Sequence, residues 1–245
     1  NSLMENSKDV MEELRHLLIS NGINPVILSI DDLNSGYDFV FVIGGDGTIL
    51  KAARFYSKFQ TPIFGINLGR LGFLSQASRD NLKFAVKQII QGNYKTEKRM
   101  MLKCHNNVAL NDFVIKGELT SRTSRFALQI NEKFVCEYLA DGIIISTPTG
   151  STAYGMAAGG PVLSPEVDAI VIVPICPHTF SARPIVVSAN DKIKILSCPN
   201  QSYIVSADGQ EVFSFSSDLI IEKSTNYANL ALLNGNDFYT VLRTK

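Results

Sequence analysis

The 245-residue chain carries 23 basic and 23 acidic side chains, so its formal net charge is zero. This balance argues against a nucleic-acid-binding protein held by bulk charge, and the 45% hydrophobic content excludes a disordered chain. The four cysteines form no CxxC pair, which argues against a zinc site and favours a reducing, cytoplasmic setting. No apolar run approaches the roughly 20 residues that span a bilayer. No signal-peptide pattern opens the chain, although it begins at Asn1 rather than Met.

Helical and strand patterns alternate over the first hundred residues. The predicted elements are a helical stripe over Val10–Leu18, strands at Val26–Ile30, Phe39–Ile43 and Pro62–Ile66, and helices from about Thr48 and over Leu82–Ile90. This alternation predicts an α/β domain over residues 1–98 with a Rossmann-like, helix-flanked parallel sheet. Such a domain normally opens with a strand. Either that strand lies upstream of Asn1, or the sheet is one strand smaller.

After about residue 98 the sequence becomes rich in strand patterns. The predicted strands are Ala109–Ile115, Phe126–Ile130, Lys133–Tyr138, Ile143–Ser146, Ala169–Val173, Lys192–Leu196, Tyr203–Ala207 and Leu219–Glu222. Asp208-Gly209 predicts a hairpin, and one helix is expected near Ser151. We therefore expect a β-rich, sandwich-like second domain over residues 99–233. Residues from about 234 to 245 can return to either domain.

The turn Gly44-Gly45-Asp46-Gly47-Thr48 is the strongest functional signal in the first domain. It joins a buried strand to a helix, where backbone N–H groups and the helix dipole favour a phosphate. A carboxylate is unfavourable among phosphates unless it binds a metal or accepts a proton. The turn therefore predicts a phosphoryl-transfer site with Asp46 at its centre. Ordinary turn chemistry is the alternative for these five residues.

A second glycine loop, residues 67–74, follows the next strand. The carboxyl ends of adjacent parallel strands share one edge of a sheet, so this loop is expected to face Asp46. Arg70 would pair with a phosphate and Phe73 would pack on a base or ribose. A tight turn with a structural arginine is the alternative.

Hydroxyl-bearing residues cluster in the second domain where a strand gives way to a helix start. The cluster runs from Ser146 to Gly155 and includes the ring of Tyr154. Hydroxyls and N–H groups there suit a sugar or phosphate, and N-capping alone explains only one or two of them. Asn111-Asp112 is a second polar pair, unusual inside a strand pattern, which fits either a bulge or a base-binding role. His178, a lone loop histidine, is better explained as a structural residue.

The order of these motifs resembles that of NAD kinases. The resemblance runs from about Phe39 to Gln210, and its most specific segment is Thr147–Tyr154. It implies an enzyme that transfers the γ-phosphoryl group of ATP or polyphosphate to the 2′-hydroxyl of the adenosine ribose of NAD. The fold implied is an α/β domain followed by a β-rich domain, in a homodimer or homotetramer whose site borrows residues from a neighbour. A divalent metal, Mg²⁺ bound mainly through the ATP phosphates, would assist.

The resemblance also implies a role for individual residues. Asp46 would be the general base, in a phosphate loop formed by Gly44, Gly45, Gly47 and Thr48. The dinucleotide would be held by Asp46, Gly47, Asn111, Asp112, Asp141, Thr149, Ser151, Thr152, Ala153 and Tyr154. Further contacts would come from Lys51, Phe73, Arg122, Ala157, Cys176 and Gln210.

The sequence departs from the family pattern at two places. Asp112 stands where the family usually has Glu, so the carboxylate survives on a shorter side chain. The family's opening strand is not seen before Leu3, which bears on nucleotide binding at that sheet edge. Two alternatives share part of the pattern: a diacylglycerol-type lipid kinase and a non-catalytic NAD-binding sensor. No Gly-x-Gly-x-x-Gly follows a strand, which argues against an oxidoreductase.

Overall fold

The computed structural model describes residues 2–69, 72–118, 123–178, 182–198, 201–235 and 237–244. The chain divides into two compact units, unit 1 with Asn1–Lys98 and Ala228–Lys245, and unit 2 with Arg99–Tyr227. The helices are α1 Ser2–Ser20, α2 Asp46–Tyr56, α3 Leu82–Ile90, α4 Tyr154–Ala157 and α5 Phe238–Thr244. The strands are β1 Val40–Ile43, β2 Ile63–Asn67, β3 Ser75–Ser78, β4 Tyr94–Cys104, β5 Asn107–Ala109, β6 Asp112–Gly117, β7 Ser124–Ile130, β8 Lys133–Ala140, β9 Gly142–Ser146, β10 Ala169–Ile175, β11 Ile185–Ser188, β12 Ile193–Leu196, β13 Tyr203–Ala207, β14 Glu211–Phe215 and β15 Leu219–Leu233.

Unit 1 is built on a parallel sheet flanked by helices, as predicted. Strand β2 pairs in parallel with β1, with β3 and with the end of β15. Alternate residues of β2 face opposite sides of the sheet, so Phe64 and Ile66 join the apolar stripes of α1 and α3. On the other side, Gly65 lies under Ile49 of α2. The sheet is therefore covered on both faces.

Unit 2 consists of two antiparallel sheets with one apolar core between them, which confirms the sandwich-like prediction. One sheet has the order β11-β10-β9-β6-β13-β14, and β15, β12, β7 and β8 pair in the other. Ile145 of β9 and Phe126 of β7 both belong to the core that the sheets enclose. Ile144 points to the opposite face of the first sheet, where Ala158 and Leu163 cover it. Strand β9 is thus buried on both faces, and the chain beyond it stays against the sheet.

Three local predictions differ from the structure. Val26–Ile30 forms no strand, and Val26 and Ile27 are exposed, so their β-branched pattern finds no sheet to join. The continuous strand predicted over 109–115 is broken at Leu110 and Asn111 into β5 and β6. The helix expected near Ser151 is a 3₁₀ turn, Thr149–Thr152, followed by the single turn of α4.

The last residues of the chain, which the sequence left unassigned, belong to unit 1, where α5 forms. The chain rejoins unit 1 at Ala228. None of the helices in the described ranges combines the length and apolarity needed to cross a membrane.

Gly65→Ala should destabilise unit 1, because the new Cβ would lie 2.5 Å from Ile49 Cδ1 and 3.1 Å from the Leu74 carbonyl oxygen. Overpacking of this kind costs about 1–3 kcal/mol. Thermal or urea unfolding measures the loss. Ile49→Val, which removes the contacted methyl, is the partner variant, and the double variant should lose less than the sum of the two single losses. Strict additivity would contradict this packing.

Candidate active site

The Gly44–Thr48 turn joins β1 to α2 as the sequence predicts. The Gly44 N–H donates to the Ile66 carbonyl at 2.9 Å, which ties the turn to the neighbouring strand. A Cβ on Gly44 would lie 2.5 Å from Thr48 Oγ1, so no other residue fits this bend without displacing Thr48. Gly45 is the N-cap and Asp46 is the first residue of α2. The carboxylate therefore sits at the positive end of the helix dipole.

One face of the Asp46 carboxylate is pressed against the second glycine loop. Asp46 Oδ2 accepts the Phe73 N–H at 3.2 Å. A Cβ on Gly72 would lie within 2.5 Å of Asp46 Cγ, so glycine at 72 is what admits the carboxylate. Asp46 Oδ1 is buried and has no hydrogen-bond partner among the described residues. The predicted facing of the two glycine loops is confirmed at Gly72 and Phe73.

The second glycine loop is itself held by local hydrogen bonds. The Gly72 N–H donates to the buried Ser75 hydroxyl at 2.7 Å, and the Gly69 N–H donates to Asn67 Oδ1 at 2.9 Å. Arg70, the predicted phosphate partner, lies outside the described residues. Lys51, on the second turn of α2, forms an ion pair with Asp31 at 2.5 Å.

A cavity of about 340 Å³ opens on unit 2, and its lining unites four of the predicted dinucleotide contacts. These are Asn111, Asp112, Ala153 and Tyr154. Tyr154 is 40% exposed, and its ring lies 5.9 Å from the Lys116 ammonium. An exposed ring beside amide and carboxylate groups is suited to stacking on a base while polar groups fix its edge.

The Asn111-Asp112 pair owes its position to Asp208. The Asp208 carboxylate accepts three backbone N–H groups, from Leu110 at 3.1 Å, Asn111 at 2.7 Å and Asp112 at 3.3 Å. The Leu110 and Asn111 N–H groups bond to this side chain instead of to a neighbouring strand, and the predicted continuous strand breaks at these two residues. Asn111 therefore lies in a bend between β5 and β6, and Asp112 is the first residue of β6.

The hydroxyl-rich segment docks onto this bend from the other side. The Thr147 N–H donates to the Asn111 carbonyl at 2.8 Å, and the Thr147 hydroxyl donates to the Leu110 carbonyl at 2.6 Å. A Cβ on Gly150 would lie 2.6 Å from Asn111 Cα, so the two backbones meet where Gly150 has no side chain. Close backbone approach is the reason for glycine at this position.

The remaining hydroxyls of the segment are buried and bonded within the protein. Ser151 Oγ donates to the Pro148 carbonyl at 2.6 Å and accepts the Leu163 N–H at 2.9 Å. Thr152 Oγ1 donates to the Thr149 carbonyl at 3.3 Å, and Arg99 donates to Thr149 Oγ1 at 3.3 Å. These bonds shape the turn that presents Ala153 and Tyr154. Direct contact of Thr149, Ser151 and Thr152 with a ligand stays a prediction.

Asp112 is the most perturbed acid of this site. Burial raises the pKa of its carboxyl to about 7, and the negative charge of Asp208 adds to the rise. Only 4% of the residue is exposed. Near neutral pH, the Asp112 carboxyl is therefore a hydrogen-bond donor when protonated and an acceptor when ionised. Neither the residue type nor its position in the sequence indicates this raised pKa.

Several predicted contacts do not line this cavity. Asp141, Ala157, Cys176 and Gln210 are exposed elsewhere on unit 2, and Arg122 lies outside the described residues. The lone His178 is exposed, and its backbone N–H donates to the Leu139 carbonyl at 2.8 Å. Their roles toward a ligand remain predictions.

Three polar lining residues were missed by the sequence analysis: Lys116, Ser206 and Asp208. Period-two alternation from Asp112 puts Val114 and Lys116 on its face of β6, so that signal was available. Asp208 was recognised only as a hairpin residue. Within the described ranges, no three His, Cys, Asp or Glu side chains cluster closely enough to hold a metal ion.

Comparison with known proteins decides the family. A family model described as the ATP-NAD kinase N-terminal domain matches residues 6–94, and one described as the ATP-NAD kinase C-terminal domain matches residues 110–233. The chain belongs to the NAD kinase family. The NAD kinase of Thermoanaerobacter sp. (strain X514) is 44% identical over 226 residues, covering 87% of this chain and 80% of that protein. That of Azotobacter vinelandii is 40% identical, covering 96% and 83%.

Solved structures of NAD kinases share the fold. A crystal structure of an NAD kinase from Archaeoglobus fulgidus in complex with ATP superposes with a TM-score of 0.83 at 29% identity, covering 95% of this chain and 93% of that one. Yeast NADH kinase complexed with NADH gives a TM-score of 0.78 at 27% identity, covering 88% and 67%. The family makes this chain a phosphotransferase, and the lipid-kinase and sensor alternatives find no support.

Asp112→Asn should stabilise the protein at pH 8, with a gain that shrinks as the pH falls toward 4. Between the unfolded pKa of 3.8 and the folded pKa of about 7, the folded state holds a proton that the unfolded state has released, so the protein loses stability as the pH rises across this range and the loss levels off above it. The isosteric amide removes this cost. Thermal unfolding across this pH range measures the difference.

The control for this prediction is Asp191→Asn. Asp191 is also an acceptor for a backbone N–H, that of Ser188 at 3.0 Å, but it does not line the cavity. This variant should show no such gain at high pH. A pH-independent effect of Asp112→Asn would show that the buried charge does not carry the cost.

Proposed function

We propose that the chain is an NAD kinase in activity, transferring the γ-phosphoryl group of ATP to the 2′-hydroxyl of the adenosine ribose of NAD. The observation that carries the proposal is the state of Asp46. Its Oδ1 is buried without a partner at the phosphate-type turn that begins α2. A buried carboxylate oxygen left without a partner is more typical of a functional group than of a structural one.

The chemistry follows from this arrangement. A secondary hydroxyl is a poor nucleophile, and a carboxylate within about 2.6–3.2 Å of it accepts its proton as the new O–P bond forms. The bond between the γ-phosphorus and the β-γ bridging oxygen breaks, and ADP leaves. The protein's remaining task is to align the phosphoryl group and offset its charge, which suits the glycines and N–H groups of the turn.

Support for the dinucleotide comes from the cavity of unit 2. Asn111, Asp112 and Ala153 supply polar and backbone groups there, and Tyr154 supplies an exposed ring. The yeast relative's structure was determined with NADH, and the archaeal one with ATP. We propose that the other predicted contacts, including Asp141, Cys176 and Gln210, complete the dinucleotide site.

We propose that Mg²⁺ enters with the nucleotide, held mainly by its phosphates. Within the described residues no three His, Cys, Asp or Glu side chains form a cage of ligands, which fits an ion held mainly by phosphate oxygens, the hard type that Mg²⁺ prefers. The ion supplies neutralisation of the charge on the transferred group.

We further propose a cytoplasmic homodimer or homotetramer. The four free cysteines suit a reducing compartment. Asp141 and Cys176 are exposed outside the cavity, which suits a site completed by a neighbouring copy.

The test is to incubate purified protein with ATP, Mg²⁺ and NAD and to assay for NADP. NADP formation supports the proposal. Binding of NAD without turnover would favour a sensor, and phosphorylation of diacylglycerol in place of NAD would favour a lipid kinase. The same assay with polyphosphate in place of ATP, and with NADH in place of NAD, identifies which phosphoryl donor and which phosphoryl acceptor the protein uses.

Asp46→Asn should cut kcat by about 10²–10⁴-fold, because the amide keeps the shape but cannot take the proton. The Kd for NAD should stay within a few-fold of wild type. Steady-state kinetics and calorimetry give the two values. Asp80→Asn, an exposed position of the same unit, is the matched control and should behave as wild type. Near-normal turnover of Asp46→Asn would remove the assigned base.

Gly72→Ala should lower kcat although the Asp46 side chain is still present, because its carboxylate would be displaced. The new Cβ would overlap the Asp46 carboxylate and force it from its place beside Phe73. Gly69→Ala is the control on the same loop, since its Cβ would meet Asn67 Oδ1 at an ordinary 3.8 Å. Equal losses in both variants would mean that the loop, rather than the carboxylate's position, matters.

A further inference from the structure

Asp208 lies at the turn of the β13–β14 hairpin, and its side chain does more than shape that turn. Its backbone φ is +52°, a value that Asp and Asn tolerate better than most residues. The carboxylate nevertheless points away from its own hairpin to the N–H groups of Leu110, Asn111 and Asp112, which lie 96 to 98 residues earlier.

The link between the hairpin and the bend is reciprocal. The Asp208 N–H donates to the Asp112 carbonyl at 2.9 Å. Asn111 is thereby fixed on both sides, because its N–H goes to Asp208 and its carbonyl accepts the Thr147 N–H at 2.8 Å. Asp208 also lines the cavity beside Asp112. The Asp208 carboxylate thus fixes the backbone of the Leu110–Asp112 bend. Through Asn111, that bend is in turn bonded to Thr147 of the hydroxyl-rich segment.

We infer that Asp208 is a positioning residue for dinucleotide binding: its carboxylate holds the Leu110–Asp112 bend in the orientation that presents Asn111 and Asp112 to NAD. The inference rests on the proposed function for the identity of the ligand. An N–H···carboxylate bond is charge-assisted and roughly twice as strong as a neutral one, so three of them define a rigid bend.

The charge of Asp208 also acts on Asp112, since it is the second cause of the raised pKa after burial. The other titratable groups that line the cavity in the described structure are Lys116, on the same strand as Asp112, and Tyr154. Neutralising Asp208 therefore moves the pKa of Asp112 down. This coupling gives a readout that a purely structural turn residue would not have.

The experiment compares Asp208→Asn with wild type. Asn tolerates the positive φ and keeps the size, so the charge and one of the two acceptor oxygens are lost. The Kd for NAD by calorimetry and the KM for NAD should rise by about 10–100-fold, the loss expected for hydrogen bonds to a charged group. The kcat at saturating NAD should change by less than about threefold, because Asp46 is untouched.

Two further variants complete the design. Asp191→Asn is the matched control and should leave Kd and kcat at wild-type values. In the Asp208→Asn background, the gain in thermal stability from Asp112→Asn at pH 8 should be smaller than in wild type, because one cause of the raised pKa is gone.

The outcomes separate the two proposals. If wild type binds NAD but forms no NADP, the proposed function fails while the Kd values still judge Asp208. If wild type does not bind NAD, both are overturned. Wild-type Kd in Asp208→Asn, or a fall in kcat with unchanged Kd, overturns the positioning role. If Asp208→Asn fails to fold, Asp208→Glu takes its place, and loss of folding in both means that the residue is only structural.

Discussion

Two carboxylates organise the functional loops of this chain, and each depends on backbone that comes within contact distance of it. Asp46 fits where Gly72 has no Cβ and takes one N–H from Phe73. Asp208 collects three N–H groups at a bend. In both cases peptide dipoles hold the negative charge, which suits groups that must keep a fixed orientation near an anionic ligand.

The carboxylates of Asp208 and Asp46 differ in whether their oxygens have hydrogen-bond partners. This difference distinguishes a structural carboxylate from one with an unpaired oxygen. The Ser151 and Thr152 hydroxyls are hydrogen-bonded within the protein, and Asp208 is bonded to the bend. Asp46 keeps one buried oxygen without a partner in the described structure. Proteins rarely leave a buried acceptor unpaired without a functional reason. The hydroxyl-rich segment is thus satisfied within the protein, whereas the carboxylate at the glycine turn keeps an oxygen unpaired within the described part of the chain, in keeping with the role proposed for it.

The parts of the site that could be predicted from the sequence are those formed by short stretches of consecutive residues. The strand, glycine turn and helix around Asp46 are encoded within about fifteen residues, and the motifs that led to the family lie in similar short segments. Val26–Ile30 was misread because β-branched residues form strands only where a sheet edge receives them. Asp208 was not recognised as a site residue because its partners lie 96 to 98 residues away in the chain. The raised pKa of Asp112 was hidden for the same reason, since burial and a neighbouring charge are properties of the fold.

The discontinuity of unit 1 has a consequence for how the chain is made. Unit 2 is one continuous stretch, Arg99–Tyr227, whereas the core of unit 1 includes Ala231 and Leu233, from the end of β15. During synthesis the ribosome releases all of unit 2 before the strand that pairs with Ile63 of β2 is available. The α/β half must therefore wait, incompletely paired, until the end of β15 has been synthesised, whereas the half that holds the cavity is free to fold earlier. Stalled or truncated translation products would thus expose an unfinished parallel sheet, the kind of surface that chaperones bind.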